Sequence, residues 1–212
     1  MIVDVLERIE AACARVGRAP SEVTLVAVTK GHDVDEIRRH VLAHGHAVLG
    51  ENRVQEWREK AAALGPDVTW HLVGHLQRNK VKFLSGIALL HSLDSARLAD
   101  ALEAEGAKRG TTFRTLLQVN VAREPGKYGV APEEAASMVR HVEELRHVAL
   151  DGLMTMAPYS EDPEASRPVF RELKRLGATL GLTRLSMGMS GDFDVAVEEG
   201  ATWVRVGTAL FR

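Results

Sequence analysis

The chain has 212 residues, 45% of them hydrophobic, with 27 basic and 29 acidic side chains and a formal net charge of −2. That length accommodates a full core, and the balanced charge gives no reason to expect a nucleic acid or an anionic membrane as partner. The single cysteine, Cys13, excludes an internal disulfide framework and suits a reducing cytoplasm.

Residues 2–15 carry Val5, Ile9 and Ala12 at helical spacing, with Val16 just beyond and Gly17 and Pro20 as a stop. This opening is amphipathic, not a basic segment leading into an apolar one, so no signal peptide is visible. The longest apolar runs are well short of a membrane span. Residues 24–30, T-L-V-A-V-T-K, hold a short β-branched apolar run that reads as a strand buried on both faces. The run ends on Lys30, and Asp33 then caps a helix predicted over 33–43. Further strands are expected at 47–49, 68–73, 87–91, 112–119, 148–153, 183–186 and 202–206. Helices are expected between them at 51–63, 77–84, 94–108, 132–145, 163–180 and 192–199. Eight alternating units with short connections predict a parallel sheet with helices outside it. A closed (β/α)₈ barrel fits, near the small end of its size range, and an open doubly wound sheet is the competitor. No linker or low-complexity run divides residues 1–212, so one domain is expected.

In such folds chemistry sits at the carboxyl ends of the strands. Lys30 stands there after the first strand. The loops after strands seven and eight, Ser186-Met187-Gly188-Met189-Ser190-Gly191-Asp192 and V-R-V-G-T at 204–208, combine small residues with hydroxyls. Small residues admit a ligand close to the backbone, and amides and hydroxyls donate to an anion, which predicts a phosphate site. Ordinary glycine turns with Asp192 as a cap would have the same composition. A lysine amine in the barrel mouth beside a phosphate cradle is what pyridoxal 5′-phosphate requires, and burial of Lys30 would favour the neutral amine. Arg205, just before Gly207, could then face the pyridine nitrogen, where a cation disfavours ring protonation; the alternative is an interior ion pair. His71 and His75 are four apart but separated by a strand end, so a helical metal pair is not expected. Lys127 in G-K-Y-G reads as a solvated loop charge, and Met154 and Met156 read as packing residues.

At these residues the chain resembles the pyridoxal phosphate homeostasis proteins. The matching stretches include A-V-T-K at 27–30, G-E-N-R-V-Q-E at 50–56, W-H-L-V-G-H-L-Q-R-N-K at 70–80, H-S-L-D-S at 91–95, G-K-Y-G at 126–129, L-S-M-G-M-S-G-D at 185–192 and V-R-V-G-T-A-L-F at 204–211. The resemblance implies a single barrel similar to the amino-terminal domain of alanine racemase, with an extra amino-terminal helix. It implies Lys30 as the cofactor lysine, Ser190, Gly207 and Thr208 around the phosphate, Arg205 at the pyridine nitrogen and Asn52 near the cofactor face. Lys127 matches a second lysine considered for cofactor handover. Gly31-His32 departs from the polar or basic pair frequent in the family and could alter the lip of the site.

The expected function is a cytoplasmic carrier that holds pyridoxal 5′-phosphate through a reversible Schiff base on Lys30. Such a carrier would maintain vitamin B6 and amino-acid and keto-acid balance, with apo pyridoxal phosphate enzymes as possible partners and no catalysis of its own. An open mouth, with no second domain expected to close over it, suits handover better than turnover. The helices show no apolar stripe beyond what a barrel needs, which points to a monomer. The alternative is a racemase-like enzyme, which needs two opposed bases; Tyr128 and Tyr159 sit in no motif that assigns either as one.

Overall fold

Leu25, Val26, Ala27 and Val28 are all buried in strand β1 (Thr24–Val28), as expected for a strand covered on both faces. The computed structural model describes residues 1–211. Its strands β1, β2 (Val48–Glu51), β3 (Thr69–Leu72), β4 (Ile87–Leu93), β5 (Phe113–Gln118), β6 (Val148–Met154), β7 (Leu185–Ser186) and β8 (Trp203–Val206) close into a barrel in sequence order. Every pairing is parallel, and β8 returns to β1 with Val26 opposite Arg205 and Ala27 opposite Val206. Closure removes the open doubly wound alternative and leaves no unpaired edge.

The helices α1 (Ile2–Arg15), α2 (Val34–His40), α3 (Val54–Leu64), α4 (Ala96–Arg109), α5 (Ala135–Glu143), α6 (Arg167–Leu180) and α7 (Phe193–Glu198) surround the strands. The main apolar cluster lies between helices and sheet and includes Ile37, Trp57, Leu102 and Phe170. Helix α1 adds Ile2, Val5, Ile9, Ala12 and Cys13 to it and is tied to α7 through Arg15 and Glu198 at 2.6 Å. No helix among the described residues is long and apolar enough to cross a membrane.

Three predicted elements come out differently. The helix expected over 33–43 stops at His40, because Val41 leaves helical geometry at φ −126°, ψ −62° with its side chain fully buried. Residues Leu42–His44 follow as a 3₁₀ turn. The segment expected as a helix over 77–84 is a 3₁₀ run, Arg78–Phe83, in which only Val81 is buried. Val81 and Leu84, both buried and three positions apart, share one face of a 3₁₀ turn, so the tighter turn docks the segment as an α-helix would. Strand β7 keeps only the two residues that pair with Leu153 and Met154 of β6.

Inside the barrel, apolar packing is confined to two small groups. Val26, Val28 and Val73 form one, Leu89, Leu116 and Met154 the other, and Trp203 packs against both. The inward positions not used by these groups include polar side chains, and those build the site.

Candidate functional site

Val26 and Val28 point into the barrel, so alternation along the strand puts Lys30 on the same inward row, one step past the last paired residue. Lys30 is exposed at the rim. The burial expected for it is not found, because the strand ends before the residue reaches the packed interior. The strand end beneath it is held firmly. Thr29 donates its hydroxyl to Glu51 Oε1 at 2.6 Å, and Lys60 Nζ donates to the same oxygen at 2.5 Å and to the Thr29 carbonyl at 2.7 Å. The Asn52 amide donates to Glu51 Oε2 at 3.2 Å. Glu51 is fully buried, and Lys60 nearly so. This pair lies between the sheet and α3, on the outward row, and fixes the backbone that carries Lys30 and Asn52. Asn52 itself is half-buried and lines a cavity at the mouth.

Arg205 on β8 is buried and forms no ion pair among the described residues. It donates from one terminal nitrogen to Ser186 Oγ at 2.5 Å and from the other to the Thr155 carbonyl at 2.9 Å. Burial pushes its pKa down to about 10, with the carboxylate of Asp192 acting in the opposite sense, so the guanidinium is charged at neutral pH. Beyond Ser186 the line continues across the barrel. Ser186 Oγ is 2.8 Å from His91 Nδ1, and His91 Nε2 is 2.9 Å from His71 Nδ1.

Donor counting settles the protons in this line. Arginine can only donate, so Ser186 Oγ accepts from it and its own hydroxyl is free to donate to His91 Nδ1. His91 then carries its proton on Nε2 and donates to His71 Nδ1, which leaves the His71 proton on Nε2. The reverse tautomers would strand the fully buried Ser186 hydroxyl with no acceptor. Both rings are neutral: burial pushes the His91 pKa far below its ordinary value, and burial with the nearby Arg114 charge brings His71 down to about 4. Arg205 is therefore braced from below by a neutral, one-directional chain of donors.

The loops after β7 and β8 meet. The Gly207 amide donates to Ser190 Oγ at 3.3 Å. A Cβ on Gly207 would stand 3.2 Å from the Val28 carbonyl, and one on Gly188, at φ +91°, would stand 2.5 Å from the Ala196 side chain. Both glycines are needed for this close approach. Asp192 does not cap α7 through its side chain. Its carboxylate accepts from the Met189 amide at 2.7 Å and from the Ser166 hydroxyl at 2.8 Å, which pins the loop. Among the described residues, the amides of Ser190, Gly191, Thr208 and Ala209 find no protein acceptor, and the hydroxyl of exposed Thr208 is unengaged. Two loops bearing unpaired N–H donors over a buried cation suit an anion.

The structure brings Lys30, Asn52, Ser190, Arg205, Gly207 and Thr208, the residues expected around a cofactor, to one end of one barrel. Lys127 is exposed, and its neighbour Tyr128 stacks on His75 with ring centroids 3.8 Å apart. That stack joins the G-K-Y-G loop to the loop after β3. Met154 is core, whereas Met156 is exposed. His32 stacks on Phe211 at 3.7 Å, so the departure at Gly31-His32 shapes the rim near the end of the described chain. The histidine line and the Glu51–Lys60 pair were missed as functional parts. Their only sequence signal is polar residues at positions where buried strands or a helix face should be apolar.

Residues 5–212 match the family model for the alanine racemase N-terminal domain. The chain is 48% identical to the pyridoxal phosphate homeostasis protein of Deinococcus radiodurans, covering 98% of this chain and 97% of that protein. It is 34% identical to the human protein of the same name, covering 97% of this chain and 82% of that one. It belongs to the pyridoxal phosphate homeostasis protein family. Among solved structures, PipY of Synechococcus elongatus with PLP bound superposes with a TM-score of 0.84 at 36% identity, covering 96% of this chain and all of that one. Alanine racemase of Clostridium difficile superposes at 0.76 with 15% identity, covering 97% of this chain and 55% of that chain, which extends the shared barrel to the racemases as a fold.

Proposed function

We propose that this member of the family binds pyridoxal 5′-phosphate at the carboxyl end of the barrel and carries it reversibly on Lys30. The observation that carries the reading is the convergence on one rim of an exposed amine, two loops with unpaired N–H donors and a buried guanidinium. The cofactor supplies an aldehyde that condenses with an amine, with loss of water, and that a second amine can take over. Lys30 supplies the amine, on a strand end held by Thr29, Glu51 and Lys60. The Ser190, Gly191, Thr208 and Ala209 amides with the Thr208 hydroxyl hold the phosphate. Arg205, charged and braced by Ser186 and Thr155, faces the ring nitrogen and keeps it unprotonated. Asn52 borders the cofactor face.

That arrangement favours holding over turnover. A cation at the ring nitrogen weakens the electron sink that α-carbon chemistry needs. The exposure of Lys30 also leaves it open to an incoming amine and to water, where catalysis gains from water exclusion. Borohydride reduction of cofactor-loaded protein followed by peptide mapping tests the anchor. The expected result is a visible absorbance band, lost on reduction, with the adduct on Lys30; Lys30→Ala should lack band and adduct. Protein that stays colourless after incubation with the cofactor would overturn the reading. Rapid α-proton exchange of L-amino acids in deuterated water would replace the carrier with a racemase-like enzyme.

A further inference from the structure

Gln77, Arg78, Asn79 and Lys80 belong to the stretch W-H-L-V-G-H-L-Q-R-N-K, yet all four are exposed and the site described above uses none of them. They sit beside the mouth. Two cavities of about 400 and 730 Å³ meet at His75, Leu76 and Gln77. The smaller also reaches Asn52, so the groove they form opens onto the rim that holds Lys30.

The groove is cationic in a chain that is not. Arg58, Arg78, Lys80 and Arg97 line it, and Lys82 lies over the adjoining Phe83 ring at 5.2 Å from its centroid. Arg58 and Lys80 approach the same ring at 5.0 and 5.9 Å. Among the described residues, none of these five cations has a carboxylate partner, and a sixth that lines the groove, Arg53, has only a long contact of 3.8 Å to Glu56, although the surface elsewhere forms ion pairs freely. The one acid lining the cavities, Asp94, already pairs with His75 at 2.8 Å. Cations held this close together repel one another, and an arriving carboxylate relieves that repulsion. The amides of Gln77 and Asn79 sit between them as neutral donors.

We propose that this groove is a docking surface for an acidic segment of a partner protein, which brings the partner's amine to the mouth at Lys30. Two features favour a protein acid over a nucleic acid. The cations are gathered in one groove of a chain with 29 acidic and 27 basic residues, so a short acidic segment fits within the basic patch, whereas a nucleic acid would extend past it over a surface that is not cationic. The aromatic rings lining the groove are already engaged, Phe83 by the cations around it and His75 by Tyr128 stacked on it at 3.8 Å, so neither is a free stacking platform. The purpose assigned here rests on the carrier reading, whereas the binding chemistry does not.

Fluorescence anisotropy with labelled poly-L-glutamate at low salt tests it. Wild type should bind, and R78E/K80E should weaken binding by about tenfold or more, since two close charges change sign. R39E/K108E, which makes the same charge change at exposed sites in the last turns of α2 and α4, should bind as wild type does. Equal weakening by both pairs would reduce the effect to net charge and overturn the proposal. Tighter binding of an oligothymidylate than of poly-L-glutamate would overturn it in favour of a nucleic acid. Absence of wild-type binding would remove it. Because the probe needs no cofactor, a protein that binds it but takes up no pyridoxal 5′-phosphate would sink the carrier reading while leaving the groove intact.

Discussion

At the scale of single residues, the proton positions along Arg205, Ser186, His91 and His71 are the sharpest consequence of the geometry. Nitrogen-15 chemical shifts at neutral pH should report both histidines as neutral with the proton on Nε2; an Nδ1 proton on His91 would reverse the chain of donors. Acid should break it. The His71 pKa is lowered in the fold, to about 4 from 6.5, so below pH 6.5 the unfolded chain takes up a proton that the folded chain refuses. Stability contributed by the neutral ring is therefore complete above about pH 6.5 and is lost as the pH falls towards 4. The gap corresponds to about 3 kcal/mol. His91 shifts in the same direction. Denaturant titrations between pH 7 and 4 should show wild type losing stability, and His71→Asn, which keeps an acceptor for His91, should show a flatter loss. An unchanged slope in His71→Asn would place the acid sensitivity elsewhere. Lys30 and Arg205 were legible in the chain because a strand end is a local feature. The bond from His91 to Ser186 was not, since its partners are separated by 95 positions and nothing local to either names the other.

At the scale of elements, strand β1, strand β2 and helix α3 are joined by the buried pair of Glu51 and Lys60. Lys60→Met removes one partner and leaves a fully buried carboxylate uncompensated, which should cost about 3 kcal/mol or more. The double variant E51Q/K60M should recover much of that loss. A double variant no more stable than Lys60→Met would mean the carboxylate is neutralised by another group. Trp57 on α3 offers a contrasting case. Its indole N–H is buried without a hydrogen-bond partner, so Trp57→Phe trades lost volume against a relieved polar group and should change stability by less than about 1.5 kcal/mol. Apolar periodicity found these strands and this helix because both patterns repeat within a few residues, but it began the helix at residue 51, whereas Glu51 ends β2 and α3 starts at Val54. It failed over Arg78–Phe83, where Val81 and the following Leu84, buried three positions apart, suit a 3₁₀ turn as well as an α-helix.

At the scale of the whole molecule, α1 is outside the eight repeating units but part of their core. Ile9 is 3% exposed within the cluster under it, so Ile9→Ala should lower unfolding stability by roughly 2–4 kcal/mol in urea titrations. An effect below about 1 kcal/mol would mean α1 packs loosely and is not integral to the barrel. The same scale separates what local sequence determines from what it leaves open. The alternation of strand and helix, the short connections and the residues standing at each strand end follow from the order of side chains, because they depend on periodicity and turn chemistry over a few positions. Closure of the barrel, the polar line from His71 to Arg205 and the approach of Arg58 to the ring of Phe83 were decided only by the tertiary structure. Each depends on which distant segments come to lie side by side, and the barrel's register, which no local pattern records, settles that.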